Sequence, residues 1–117
     1  MVNEFGKFIR KLRIDLNLNM KDMADVLGVK TSFLSSIELS KKAIPDSIID
    51  KIIEYYALSE SQKEELLDAV AKTRGKVEIQ LNQFEIEDQY GVLAFARKYY
   101  GLSSEQKKSI EEILNAD

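Results

Sequence analysis

The sequence contains no cysteine and no histidine. Disulfide scaffolds, Cys/His zinc sites, histidine-ligated haem, thiol nucleophiles and histidine proton relays are excluded together. No metal and no other cofactor is therefore expected. Long apolar runs are missing too, and nothing approaches the roughly 20 residues needed to cross a bilayer, so no membrane partner is expected. The first ten residues carry Glu4, Lys7 and Arg10 and no apolar core of signal-peptide length. A cytoplasmic location is the expectation, and the lack of cysteine fits a reducing compartment. Proline occurs once and glycine five times in 117 residues, so ordered helices meet few interruptions. An excess of positive charge is also absent. The net charge of −3 argues, as an average, against a nucleic-acid partner. Hydrophobic residues at 44% and charged residues at 32% are the proportions of a globular chain, long enough for one ordinary domain or two very small ones.

Helical spacing dominates what is present. Phe5, Phe8, Ile9, Leu12 and Leu16 predict a first helix over residues 4–16, broken by Asn17, Leu18 and Asn19. Met20, Met23, Ala24 and Leu27 form a second stripe closed by Gly28, a residue suited to positive φ after a helix. Thr31 and Ser32 are placed to cap a third helix that turns Phe33 or Leu34, and Ile37, inward. Pro45 and Asp46 start a fourth, with Ile48, Ile49, Ile52, Ile53 and Tyr56 on its buried side. Ser59-Glu-Ser-Gln62 and Ser103-Ser-Glu-Gln106 both have the form of a capping box, and Tyr-x-Leu precedes each serine. Shared capping chemistry explains so short a match better than a duplicated unit does.

A fifth helix is expected to end at Gly75. Beyond it Val77, Ile79 and Leu81 alternate with Lys76, Glu78 and Gln80, which predicts a strand. A lone strand leaves its backbone unsatisfied, so a twin from a second subunit is the economical partner; an extended linker with accidental alternation is the alternative. Two amphipathic helices follow over 86–100 and 104–115, with Gly101 as a stop.

The stretch from Met20 to Ile37 has a more specific design. Ala24 is small enough to let two helices approach, Gly28 turns the backbone, and Val29, Leu34 and Ile37 pack the next helix. Those are the demands of a helix-turn-helix, whose second helix is held outward to enter a major groove. Residues 5–58, and most specifically Ala24-Asp-Val-Leu-Gly-Val-Lys-Thr-Ser-Phe-Leu-Ser-Ser-Ile-Glu38, resemble the Cro/CI-type (XRE-type) helix-turn-helix of phage and bacterial repressors. The resemblance implies a mainly all-α fold. A five-helix bundle of that type over 1–75 is expected to bind DNA; a strand with two helices over 76–117, which the resemblance does not cover, is expected to dimerise it.

By the same resemblance Thr31, Ser32, Ser35 and Ser36 face base edges, and Lys30 stands at the entry of the recognition helix. Lys41 and Lys42 lie in a loop used against phosphates, and Asn19 and Lys21 open the second helix toward the duplex backbone. Arg13 and Glu38 match an internal salt bridge. There are departures. Met20 stands where glutamine is usual, Leu39 where asparagine is frequent and Ser40 where glycine is usual. The recognition helix has no Arg, Gln or Asn for bidentate base contacts. Phe33 is read as a core residue in preference to a contact for a thymine methyl.

Charge distribution agrees with this placement. Residues 1–45 carry eight basic and five acidic side chains, and the remainder nine and fifteen. The functional expectation is a transcriptional repressor that binds double-stranded DNA as a homodimer on a palindromic operator. The alternative is an antitoxin or adaptor whose helix-turn-helix meets a protein regulator or toxin. An enzyme is disfavoured. Glu85, Glu87 and Asp88 cluster at a helix start, where acids stabilise the dipole, and the isolated glycines make no phosphate loop.

Overall fold

Side-chain caps set most helix starts in the computed structural model, which describes residues 1–116. Asn3 caps α1 (Glu4–Asp15) by accepting from the Gly6 amide, and Asn19 caps α2 (Met20–Leu27) through a reciprocal box with Asp22. Both serine-glutamine boxes form as their spacing predicts. Ser59 with Gln62 opens α5 (Glu60–Arg74), and Ser103 with Gln106 opens α7 (Ser104–Asn115). Gly28 and Gly75 end α2 and α5 at φ +70° and +74°, the left-handed region that a Cβ disfavours. Pro45 immediately precedes α4 (Asp46–Tyr55), and α6 spans Ile86–Lys98, ending in a 3-10 turn at Tyr99–Gly101.

Two expectations are corrected. Thr31 and Ser32 do not cap α3 (Thr31–Glu38): Lys30 occupies the cap position with no side-chain bond, and both hydroxyl residues lie in the first turn, exposed. The strand expected over 76–81 does not form, and no β-strand occurs among the described residues. Residues 76–80 carry no regular structure and lead into a 3-10 turn at Leu81–Gln83. Alternation assigns side chains to two faces, but a strand exists only where a ladder of backbone bonds pairs it.

The chain divides into two units, Met1–Val77 and a second beginning at Glu78. In the first, Phe5, Ile9, Met23, Leu27, Leu34, Ile37, Ile52 and Leu66 are essentially inaccessible and form one core with Leu12, Ile44, Ile48, Ile49 and Val70. Burying a side chain of this size is worth about 1.5–3 kcal/mol, so this unit has the means to fold alone. In the second unit no described residue is buried.

Gly6 has a role its sequence position does not announce. A Cβ there would lie 2.6 Å from Val2 Cγ1 and 2.8 Å from the carbonyl oxygen of Glu38. The amino end of α1 therefore approaches the carboxyl end of α3 closely, and the Asn3 amide donates to that same carbonyl at 2.9 Å. Gly6→Ala improves helix propensity by up to about 1 kcal/mol, but overpacking against backbone costs about 1–3 kcal/mol. Urea denaturation is expected to show a net loss of stability; a gain would mean that α1 and α3 can separate freely.

Candidate functional site

The elements around α3 hold it from both ends. At its start, Gly28 reverses the chain and the Val29 amide donates to the Ala24 carbonyl at 3.0 Å, while Lys51 Nζ donates to the Leu27 carbonyl at 3.2 Å. Ala24 is buried at this turn, as the need for close approach predicts. At the other end, Glu38 sits in the last turn of α3 with no solvent exposure. Arg13 of α1 meets it with both terminal nitrogens, Nη1 to Oε2 at 3.0 Å and Nη2 to Oε1 at 3.1 Å. Arg10 Nε adds a third bond to Oε1 at 3.0 Å. The expected Arg13–Glu38 pair thus exists, bidentate and buried, which fixes orientation as well as distance. Asn3 Nδ2 completes the clamp by donating to the Ile37 carbonyl at 2.8 Å and to Ser40 Oγ at 2.9 Å. The only sequence signals for Arg10 and Asn3 are helical spacing three before Arg13 and a residue of capping type before α1.

Ser40 has φ +61°, in the left-handed region. That conformation explains why glycine suits the position, and the Asn3 bond to the serine hydroxyl offsets part of the strain. Met20, at the usual glutamine position, is partly buried and packs against the core. The Tyr56 hydroxyl is buried without a hydrogen-bond partner among the described residues, and burial pushes its pKa up, keeping it neutral.

The nine predicted contact residues fall into three groups. Lys30, Ser32, Ser36 and Lys42 come together with Val29 and Phe33 around one open groove on α3. Thr31, Ser35 and Lys41 lie on or just after the same helix but do not line that groove. Lys30, Lys41 and Lys42 are exposed, and none forms an ion pair among the described residues. The Lys41 and Lys42 amides both donate to the Ser36 carbonyl, at 2.9 and 3.3 Å, which ties their turn to the helix. Asn19 and Lys21 form the third group, and both are engaged internally. Asn19 Oδ1 accepts from the Asp22 amide at 2.8 Å, and Lys21 Nζ pairs with Asp25 Oδ2 at 3.0 Å. The Asp25 hydrogen bond and charge raise the Lys21 pKa.

Chemically, the α3 surface offers cations that meet no carboxylate beside small hydroxyls on a rigidly held helix. Ser36 Oγ donates to the Ser32 carbonyl at 2.8 Å, so it faces outward chiefly as an acceptor. Phe33 is half-buried, packed against the core on one side and lining the groove on the other. Among the described residues no cluster of acidic side chains could hold a metal ion, and no helix is long and apolar enough to cross a membrane.

A family model described as a helix-turn-helix domain matches residues 6–72, more than half of the chain, from the first turn of α1 to the last of α5. No curated protein and no solved structure matches the chain significantly.

Proposed function

The chain belongs to this helix-turn-helix family, of the XRE/Cro kind, and from that membership we propose that it is a transcriptional repressor which binds a palindromic operator as a homodimer. A domain of this kind supports a DNA-binding regulator. The observation that carries the reading is the α3 surface: Lys30 and Lys42, free of ion pairs, flank Ser32 and Ser36 on a helix clamped through Glu38. Cations that meet no carboxylate are available to phosphates, and exposed hydroxyls to base edges. Thr31, Ser35 and Lys41 extend that surface. Asn19 and Lys21 contribute less, because Asp22 and Asp25 already occupy them.

A single reading head of this size makes few phosphate contacts, so useful affinity calls for two. The second unit supports a self-associating role. In α5 the residues seven, ten and eleven positions after the Ser59 cap are Leu66, Ala69 and Val70, all buried. The residues at the same positions after the Ser103 cap of α7 are Ile110, Ile113 and Leu114. Of these Ile113 is 73% and Leu114 69% exposed. Ile110 is half-buried, so it is the outer part of the α7 stripe, Ile113 and Leu114, that has the register of a core helix and lacks the cover. Lys107 and Lys108 precede Glu111 and Glu112 along α7. Two copies laid antiparallel set opposite charges against each other, whereas a parallel pair sets like against like.

Binding-site selection from random duplexes, with the purified full chain, tests the proposal. The expected outcome is a palindrome with half-sites about one helical turn apart, bound with strong salt dependence. Lys42→Ala is expected to weaken binding to all sequences alike and to lower the salt slope by about 1 for each half-site. Absence of any salt-dependent shift overturns the reading. One observation favours a second reading, a protein-binding adaptor or antitoxin. The amino end of α2 is closed by an acidic capping residue, Asp22, where a phosphate would meet repulsion. Capture of a protein partner by a chain that ignores every duplex is its signature.

A further inference from the structure

We infer that Phe33 is a specificity-determining residue that reads the 5-methyl group of a thymine in the major groove. This rests on the proposal that the α3 surface binds DNA and names what it recognises there. None of the exposed side chains of α3 is an Arg, Gln or Asn, so no bidentate base contact is available. The hydroxyls discriminate weakly, and that of Ser36 already spends its proton on the Ser32 carbonyl. The remaining feature with chemical selectivity is apolar. Phe33 lines the groove together with Val29, between Ser32 and Ser36 on its own helix and the lysines at either end.

The ring is also steadied. Its inner side packs on the core, and Lys42 Nζ lies 5.6 Å from its centroid, within the range of a cation–π contact. A half-exposed phenyl group beside cations that meet no carboxylate is unsuited to bulk water and suited to a surface where phosphates meet the lysines while an apolar group meets the ring. Among base edges in the major groove, only thymine presents such a group, its 5-methyl. The charge of Lys30 and Lys42 selects a polyanion, and the ring between them selects the methyl.

Replacing thymine by uracil removes that methyl and leaves base pairing intact, so the test needs no change to the protein. Duplexes recovered by selection are resynthesised with deoxyuridine at each thymine of the half-site in turn and titrated with the full chain. Loss of one buried methyl corresponds to about fourfold weaker binding for each half-site, expected at one thymine position. Phe33→Ala is expected to bind the thymine and uracil duplexes equally. Phe33→Leu, which keeps an apolar group of similar reach, guards against misfolding and is expected to retain part of the difference. Equal wild-type affinity for both duplexes, with salt-dependent binding intact, overturns the inference while leaving DNA binding standing. Persistence of the difference in a folded Phe33→Ala variant also overturns it, since the methyl is then read elsewhere. Failure to bind any duplex removes the parent proposal and this one together.

Discussion

Glu38→Ala is expected to destabilise the first unit by about 3–5 kcal/mol, because it leaves Arg13 buried without its counter-charge. The carboxylate is fully inaccessible and takes three bonds from two arginines. Arg13 itself, with its side chain only 8% exposed, has no route to water without moving α1. Domains of this size have about 5–15 kcal/mol in total, so the loss consumes a large share of it. Thermal unfolding is expected to fall by more than about 12 °C. The double variant Arg13→Met with Glu38→Leu separates charge burial from shape. Both partners are then apolar, Arg10, being exposed, returns to solvent, and most of the lost stability is expected to come back. DNA affinity is not expected to recover equally, since the bidentate pair is what sets α3 against α1. A Glu38→Ala protein that melts like the wild type would show that the pair contributes nothing to stability.

The other large effect concerns the second unit. A fragment ending at Val77 is expected to remain folded, because among the described residues every buried one lies within it. It is expected to sediment as a monomer and to bind a palindromic duplex roughly 10²–10⁴-fold more weakly, the factor by which linking two sites raises avidity. The substitutions Ile113→Glu and Leu114→Glu, made together in the full chain, locate the effect. Both side chains face solvent in the single chain, so charging them costs the monomer little. In a dimer packed along α7 they place four like charges in the interface. Monomeric sedimentation with unchanged melting of the first unit is the expected result. A fragment that still dimerises would assign the contact to the first unit, and a glutamate variant that remains a dimer would move it away from α7.

Several features were legible because they depend on near neighbours in the chain. Ser59 with Gln62 and Ser103 with Gln106 cap helices through bonds spanning three residues, so spacing alone announces them. Gly28 and Gly75 adopt the left-handed conformation their positions call for. The strand over 76–81 failed for the opposite reason. Period-two alternation is a local property, whereas a strand requires a partner that the local sequence cannot specify. Thr31 and Ser32 failed more narrowly. Residues of capping type stood one place too late, and the helix began at Thr31 with Lys30 as its cap.

The candidate site divides in the same way. Sequence pattern alone determined which residues α3 turns outward, since burying Leu34, Ile37 and Glu38 at helical spacing leaves Ser32 and Ser36 on the other side. It also determined that the basic residues gather near that helix. Only the tertiary structure decided which of those groups are available. Lys21 is held by Asp25 and Asn19 by the capping box, while Lys30 and Lys42 meet no carboxylate and share a groove with Phe33. It alone showed why Gly6 must be glycine, through a carbonyl 32 residues away at Glu38, and that the outer part of the α7 stripe goes uncovered. Helical pattern and caps act through backbone bonds a few residues long. Availability depends on which distant side chains reach a group first, and that is settled by packing.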